Sequence, residues 1–252
     1  MTTISQSASD ITTEPRSSDL VPTIDQLLRD VPGILGRIRE GRDLTTLARA
    51  MIVTVALGAG IFGAAMGAFR GGPQILYATV KLPLALLLTT AICAPALTAL
   101  NSALGRQACI RRDLSLVLSS LARMSLVVAA EAPVVLLAVR LGADYHAIIL
   151  LVVACCAIAG AIGLSLFFRG LRLADPKAVG TVALALLSVF GFVGTQMSWT
   201  LRPFLVRPRT TEAPFVRTVE GSFLDSVQRS TMSAGGLYTR KSAPLPGEES
   251  TR

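Results

Sequence analysis

Five long apolar blocks constrain the fold of this chain more than any other feature of its sequence. They cover residues 47–69, 82–104, 114–139, 146–168 and 179–200. Each is about 20 residues or longer, which is the length that an α-helix needs to cross a hydrocarbon core of about 30 Å. Only 16% of the residues are charged, against about a quarter in soluble domains. The blocks therefore indicate membrane spans rather than the core of a soluble domain.

The composition of the blocks distinguishes helices from strands. They are rich in Leu, Ala, Val and Gly and lack the polar–apolar alternation of membrane barrel strands. A helix satisfies its own backbone hydrogen bonds inside the bilayer. The sequence therefore predicts an all-α fold, an integral membrane bundle of about five transmembrane helices within residues 47–200. A cleaved signal peptide is not expected, because the first block starts late and is too long.

The segments outside the blocks differ in character. Residues 1–22 are rich in Ser and Thr and are predicted to be disordered. Residues 23–46 carry apolar side chains at helical spacing and predict an amphipathic juxtamembrane helix, or two short helices with Asp30 as the second cap. Such a segment either packs under the bundle or lies on the membrane surface. Residues 201–231 predict an extramembrane segment with a short helix, and residues 232–252 a disordered tail.

The first block carries small residues at four-residue spacing, at Ala59, Gly63 and Gly67. Small residues on one face let another helix approach closely, which is how helices associate where lipid removes the hydrophobic driving force. We expect this face to pack within the bundle, with self-association of the chain as the alternative.

The distribution of basic residues predicts the orientation of the chain. Five spans place the two termini on opposite sides of the membrane. The N-terminal side carries Arg29, Arg37, Arg39, Arg42, Arg106, Arg111, Arg112, Arg169, Arg172 and Lys177, and the other side carries Arg70, Lys81, Arg140, Arg202, Arg207, Arg209 and Arg217. The excess of ten over seven predicts a cytoplasmic N-terminus and an extracytoplasmic C-terminus.

Aromatic residues mark the ends of three spans. Tyr77, Tyr145 and Trp199 all fall on the predicted outer side, and Arg202 follows the last span directly. Aromatic side chains concentrate at membrane–water interfaces. We therefore interpret these four residues as interface anchors.

Two charged residues stand out inside the third block, Arg123 and Glu131. A charge in hydrocarbon costs at least about 2.5–3.5 kcal/mol, so each needs a structural or functional reason. Their separation of roughly 12 Å along the helix and about 80° around it excludes a direct pair. Glu131 falls near the predicted depths of Gln196 and a snorkelling Lys81, and Arg123 near that of Asn101. The favoured interpretation is polar contact between helices, and the alternative is a pathway for an ion, proton or small solute.

The sequence offers little for catalysis. Its single histidine, His146, excludes bis-histidine haem ligation and a His-Glu-x-x-His metal site. No Walker-type or dinucleotide-binding glycine loop is present in the sequence. No catalytic residue, metal site or cofactor is therefore expected. The net charge of +8 comes largely from arginines beside the spans, which favours lipid headgroups over nucleic acid as the partner.

Two stretches of the sequence are similar to known proteins. Residues 81–105, "KLPLALLLTTAICAPALTALNSALG", and 191–204, "GFVGTQMSWTLRPF", with "EGSF" at 220–223, resemble an uncharacterised family of bacterial multi-spanning membrane proteins. That family is loosely similar to the Yip1 group, which has five spans and a cytoplasmic N-terminus. The resemblance implies a bacterial inner-membrane location and supplies no catalytic residues. The Asp-Leu-Tyr-Gly-Pro motif of the eukaryotic Yip1 group is absent, so a trafficking role is not implied.

These patterns together predict a non-enzymatic scaffold or accessory subunit. Its expected partners are the lipid bilayer and other membrane proteins or a second copy of the chain, and not nucleic acid. The alternative function is a small permease or an ion or proton pathway that uses Glu131 and Arg123.

Overall fold

The computed structural model describes residues 20–200, and all seven elements in that range are α-helices. Two short helices come first, α1 (Leu20–Arg29) and α2 (Val31–Glu40). Five long helices follow: α3 (Leu44–Gly67), α4 (Pro73–Ala103), α5 (Ile110–Arg140), α6 (Tyr145–Ala174) and α7 (Val179–Thr200). Each of the five is long and apolar enough to cross a membrane. The predicted all-α membrane bundle is therefore confirmed.

The first residues of helices α1 and α3 differ from those predicted. Helix α1 begins at Leu20, inside the tail predicted to be disordered, and α3 begins at Leu44, three residues before the first apolar block. The segment 23–46 contains two helices because Asp30 caps the second one, its carboxylate accepting the amide of Gly33 at 3.0 Å. A side-chain acceptor of this kind satisfies one of the free amides at the start of a helix.

Several predictions concern residues that the structure does not describe. They are the disorder of residues 1–19, the extramembrane segment 201–231 with Arg202 and its short helix, and the disordered tail 232–252. These remain predictions.

Helix α3 lies at the centre of the bundle. It packs between α4 and α5, while α6 packs on the outer side of α5 and α7 packs mainly on α4. The apolar stretch of α3 is 67% buried, against 17% for that of α7. The short connections between successive long helices make neighbours antiparallel, as in other bundles. The chain thus places one helix at the core and leaves α7 at the edge.

The alternating helix directions give the bundle two ends. We call one the arginine end, where α3, α5 and α7 begin and α4 and α6 finish. The opposite one is the aromatic end, where Tyr77 lies in the second turn of α4, Tyr145 begins α6, and Trp199 lies in the last turn of α7. The ring centroids of Tyr145 and Phe69 are 6.1 Å apart there. The three predicted aromatic anchors therefore share one end of the bundle.

Helices α1 and α2 are part of the core at the arginine end. Leu27 of α1 and Ile34 and Leu35 of α2 are buried in one cluster with Leu116 and Phe167 of the long helices. Burial of apolar side chains stabilises a fold by roughly 25 cal/mol per Å². The burial of these side chains therefore holds the apolar face of α1 and α2 against the long helices. Of the two arrangements open from the sequence, the structure has the segment packed under the bundle.

Small hydroxyl side chains lie in the interior of the long helices. Thr54, Ser119, Ser120 and Ser125 are buried, and each donates to the carbonyl oxygen four residues earlier at 2.8–2.9 Å. This local bond satisfies a hydroxyl without a partner on another helix. These four hydroxyl groups therefore do not need a hydrogen-bond partner on a neighbouring helix.

Candidate functional site

The small-residue face of α3 contacts α4 at backbone distance. A Cβ atom added at Gly63 would lie 2.4 Å from the carbonyl oxygen of Ala78, and one at Gly67 would lie 2.6 Å from the Cα of Ile75. Ala59 on the same face is fully buried. The face predicted for packing is thus occupied within the chain by α4.

Two further glycines form contacts that the sequence analysis missed. A Cβ atom at Gly58 would lie 2.5 Å from the carbonyl oxygen of Ser125, and one at Gly163 would lie 2.9 Å from that of Ser120. Gly58 therefore brings α3 against α5, and Gly163 brings α6 against the same helix. The sequence did show two glycines inside apolar blocks, which is typical of close helix contacts. The spacing of small residues along one helix does not tell which neighbouring helix each glycine contacts.

The two charged residues of α5 have separate surroundings. Glu131 is half-buried and interacts with the thiol of Cys155 on α6. Arg123 is also half-buried. One carboxylate oxygen of Glu131 and Nη1 of Arg123 are buried without a hydrogen-bond partner in the described chain. The structure does not bring these two side chains together.

The other predicted polar residues differ in their placement. Lys81 on α4 is fully buried, so the predicted snorkelling to the membrane surface is wrong. Gln196 is half-buried on α7, which packs on α4. Asn101, predicted to lie near Arg123, donates instead to a carboxylate oxygen of Asp113 at 3.2 Å. The acid lies twelve residues further along, across the connection between α4 and α5.

Arg106 joins that connection to the end of α6. Its guanidinium donates to the carbonyl oxygen of Leu171 at 2.9 Å and to that of Lys177. The last carbonyl groups of a helix have no partner within it, and a cation near them is favoured by the helix dipole. Buried Arg106 therefore anchors the end of α6 and the short connection to α7.

A cavity of about 320 Å³ lies beside these contacts. We call it the arginine-end cavity, and it is bounded by α2, the end of α4 with its connection to α5, the start of α5 and the end of α6. Its polar lining consists of Arg39, Asn101, Arg106, Gln107, Arg112, Asp113 and Asp175. In the sequence, the arginines indicated orientation only. The missed signal was an acid, Asp113, next to Arg112 in the first turn of α5, twelve residues after the Asn101 in the last turn of α4.

A second cavity, of about 160 Å³, is apolar. It lies between α5, α6 and α7, and Met124, Gly163, Phe167, Leu187 and Phe190 contribute to its walls. Neither Glu131 nor Arg123 lines either of these two cavities. Within residues 20–200, no cluster of His, Cys, Asp and Glu side chains has the arrangement needed to hold a metal ion.

Comparisons with protein-family models, with curated proteins and with solved structures find no match to this chain. The resemblance to the Yip1 group therefore stays a prediction from the quoted motifs.

Proposed function

We propose that this chain is a non-enzymatic scaffold or accessory subunit of a bacterial inner membrane, where it binds other membrane proteins or lipid. One observation carries the proposal. The acid and the base of α5, which a pathway would use, line neither the arginine-end cavity nor the apolar one. Around them, the helices meet at backbone distance through Gly58, Gly63 and Gly163, which favours a packed interior over an aqueous route.

The exposed surface of α7 supports the binding of a further membrane protein. Helix α7 packs mainly on α4 and keeps most of its surface outside the bundle. In a bilayer such a face is covered by lipid or by another helix. We assign this face to a partner helix because α7 is the least buried of the five spans.

Photo-crosslinking from α7 tests this proposal in cells. A diazirine amino acid at Leu184, which is 69% exposed, is expected to give a protein adduct of discrete mass, because this side chain points out of the bundle. The matched control is the same amino acid at Leu186, which is 4% exposed and faces the interior. An adduct of twice the chain mass would identify self-association, and any other discrete mass a different protein.

The permease alternative rests on a buried carboxylate oxygen of Glu131 that has no hydrogen-bond partner among residues 20–200. Pro133 follows two residues later and cannot donate its backbone amide, so a carbonyl one turn earlier loses its usual partner. A proton or cation flux into vesicles containing the purified protein, lost in Glu131→Gln, would contradict the scaffold proposal. The Gln variant is suited to this test because it keeps the shape of the side chain and removes only the titratable group.

The proposed orientation places the arginine end in the cytoplasm. Reporter fusions after Arg112 and Lys177 are expected to give a cytoplasmic signal, and fusions after Arg140 and Arg217 an extracytoplasmic one. The physical reason is the excess of basic residues around the arginine end. A cytoplasmic signal at Arg217 would mean that the number of spans in the membrane is not five.

A further inference from the structure

Three arginines from different elements line the arginine-end cavity. They are Arg39 of α2, Arg106 of the α4–α5 connection and Arg112 of α5. Arg106 is buried, and its guanidinium already donates to the carbonyl oxygens of Leu171 and Lys177. Arg39 is exposed and Arg112 is half-buried, so a ligand can reach both side chains. The cavity therefore presents two accessible guanidinium groups.

The guanidinium of Arg112 lies beside the turn that ends α2. A Cβ atom added at Gly41 would lie 3.6 Å from Nη2 and 3.7 Å from Nε of Arg112. Arg39 precedes this glycine in the last turn of α2. The carbonyl oxygens of Arg37 and Ile38 accept backbone amides of the turn, so the end of α2 does not require Arg112 as a cap. Both accessible arginines thus lie at the same end of α2.

Neither of these two arginines has an anionic partner among residues 20–200. The ion pairs within that range join Arg29 to Asp25 and Arg42 to Glu40. Two like charges repel each other at short distance, and a bound anion offsets that repulsion. A guanidinium also presents several N–H donors in a planar fork that matches the oxygen atoms of phosphate or carboxylate. The arrangement is therefore complementary to an anion.

The acids of the lining, Asp113 and Asp175, do not take the place of such an anion. Oδ2 of Asp113 is buried. Its carboxylate faces the side chains of Asn101, Thr98 and Arg106 and the backbone of Cys109. Oδ1 of Asp175 accepts the backbone amide of Lys177 at 2.8 Å. With three arginines against two acids, the lining keeps an excess of positive charge.

The position of the cavity favours phosphate over carboxylate as the anion. The arginine end consists of the ends of the apolar spans and the connections between them, and the end of a span lies at the level of the lipid headgroups. Basic pockets between membrane helices bind the phosphate groups of lipids. Phosphate is thus the anion that this cavity meets most often in a bilayer.

We propose that the arginine-end cavity binds a phosphate group, held by Arg39 and Arg112. The oxygen atoms of one phosphate can accept hydrogen bonds from guanidinium groups of two helices at once. Gln107, an exposed residue of the lining, adds amide donors. The cavity volume of about 320 Å³ falls at the lower end of the roughly 300–1,000 Å³ of ligand pockets.

The phosphate comes either from an anionic phospholipid or from a soluble phosphate ester. Both sources offer the same oxygen atoms to the two arginines, and only the phospholipid brings acyl chains that stay in the bilayer. The inference rests on the proposed function, whose lipid partner it names.

Binding of labelled phosphatidylglycerol tests the site. The purified full-length protein in a non-ionic detergent is titrated with phosphatidylglycerol that carries an acyl-chain fluorophore, and binding is followed by fluorescence anisotropy at constant ionic strength. Diacylglycerol with the same fluorophore lacks the phosphate and should bind about tenfold more weakly. Equal affinities for the two lipids would overturn the proposal.

Replacement of the two arginines connects the affinity to the cavity. Arg39→Gln and Arg112→Gln should each weaken the binding of phosphatidylglycerol about tenfold, because each removes charge-assisted hydrogen bonds to the phosphate. Neither replacement should change the melting temperature of the lipid-free protein, since neither side chain forms an ion pair in the described part of the chain. Arg39 is exposed, so its variant keeps the test decisive if Arg112→Gln fails to fold.

Arg111→Gln is the matched control for both variants. Arg111 is adjacent to Arg112, is exposed and does not line the cavity. Its replacement removes the same charge from the same turn and should leave the affinity for phosphatidylglycerol unchanged. An equal loss of affinity in all three variants would indicate general attraction of anionic lipid to a basic surface, and it would contradict the site. An affinity that survives Arg39→Gln would contradict it too.

Competition distinguishes the two sources of the phosphate. Displacement of the labelled lipid by glycerol 3-phosphate at constant ionic strength would support the site with a soluble ligand. Binding of phosphatidylglycerol that depends on Arg39 and resists this displacement would support the site with a lipid.

The outcome is independent of the proposed function. Arginine-dependent lipid binding combined with ion flux through Glu131 would keep the site and refute the scaffold. A discrete adduct from α7 without arginine-dependent lipid binding would keep the scaffold and refute the site.

Discussion

Gly63→Leu is expected to lower the melting temperature of the protein in detergent by about 2–12 °C relative to Val53→Leu. A Cβ atom added at Gly63 would already lie 2.4 Å from the carbonyl oxygen of Ala78 on α4, so a leucine side chain must push the two helices apart. Overpacking of a tight contact costs roughly 1–3 kcal/mol, and 1 kcal/mol shifts the melting temperature of a chain of this size by about 2–4 °C. Val53 lies on the same helix but is 39% exposed, so added bulk there meets lipid or detergent.

A finer comparison removes the difference in side-chain size. Gly63→Ala should destabilise the protein, whereas Gly60→Ala should leave stability unchanged or raise it. A Cβ atom at Gly60 would lie 3.5 Å from the nearest atom, the carbonyl oxygen of Thr79, which is an ordinary contact. Alanine is also a better helix former than glycine by about 1 kcal/mol. Equal melting temperatures for the two alanine variants would show that α3 and α4 do not meet at backbone distance.

Arg106→Met should destabilise the protein by roughly 3 kcal/mol, the order of magnitude expected when two hydrogen bonds from a charged donor are lost. Methionine keeps an apolar stem of similar length but leaves the carbonyl oxygens of Leu171 and Lys177 without this donor. The loss of these two hydrogen bonds should also make the α6–α7 connection more mobile. Trypsin cleavage after Lys177 should therefore become faster, and it can be followed together with thermal unfolding.

Arg111→Met is the matched control for this variant. Arg111 is exposed and lies at the start of the neighbouring helix α5, so its replacement should change neither the melting temperature nor the rate of cleavage after Lys177. Equal cleavage rates for the two variants would mean that Arg106 does not hold the connection.

The sequence predicted the spans well because length and hydropathy are properties of a single segment. Leu44 to Gly67, for example, is long and apolar enough to be recognised without knowledge of any neighbour. The packing face of α3 was predictable for the same reason, since Ala59, Gly63 and Gly67 lie on one side of one helix. The identity of the helix that meets each face was not predictable, because it depends on the lateral order of the spans.

The polar residues show the same limit more clearly. The sequence suggested Arg123 as the neighbour of Asn101 from estimated depth, yet the amide bonds to Asp113 across the connection to the next helix. Lys81 was expected at the membrane surface and is fully buried. Depth along the membrane normal can be estimated by counting residues, but the direction in which a side chain points around its helix is determined by tertiary packing. The arginine-end cavity, built from four segments, was therefore not visible in the sequence.

The contacts of Arg106 have a consequence for the synthesis of the chain. They join residues that are 65 and 71 positions apart, so the guanidinium emerges from the ribosome long before its acceptors. At about 5–20 residues per second the interval is roughly 3–14 s. The hairpin of α4 and α5 must therefore enter the membrane and persist with this cation still hydrated. The bonds of Arg106 can form only after α6 and the connection to α7 have been made, which places the closure of the arginine end among the last steps of assembly.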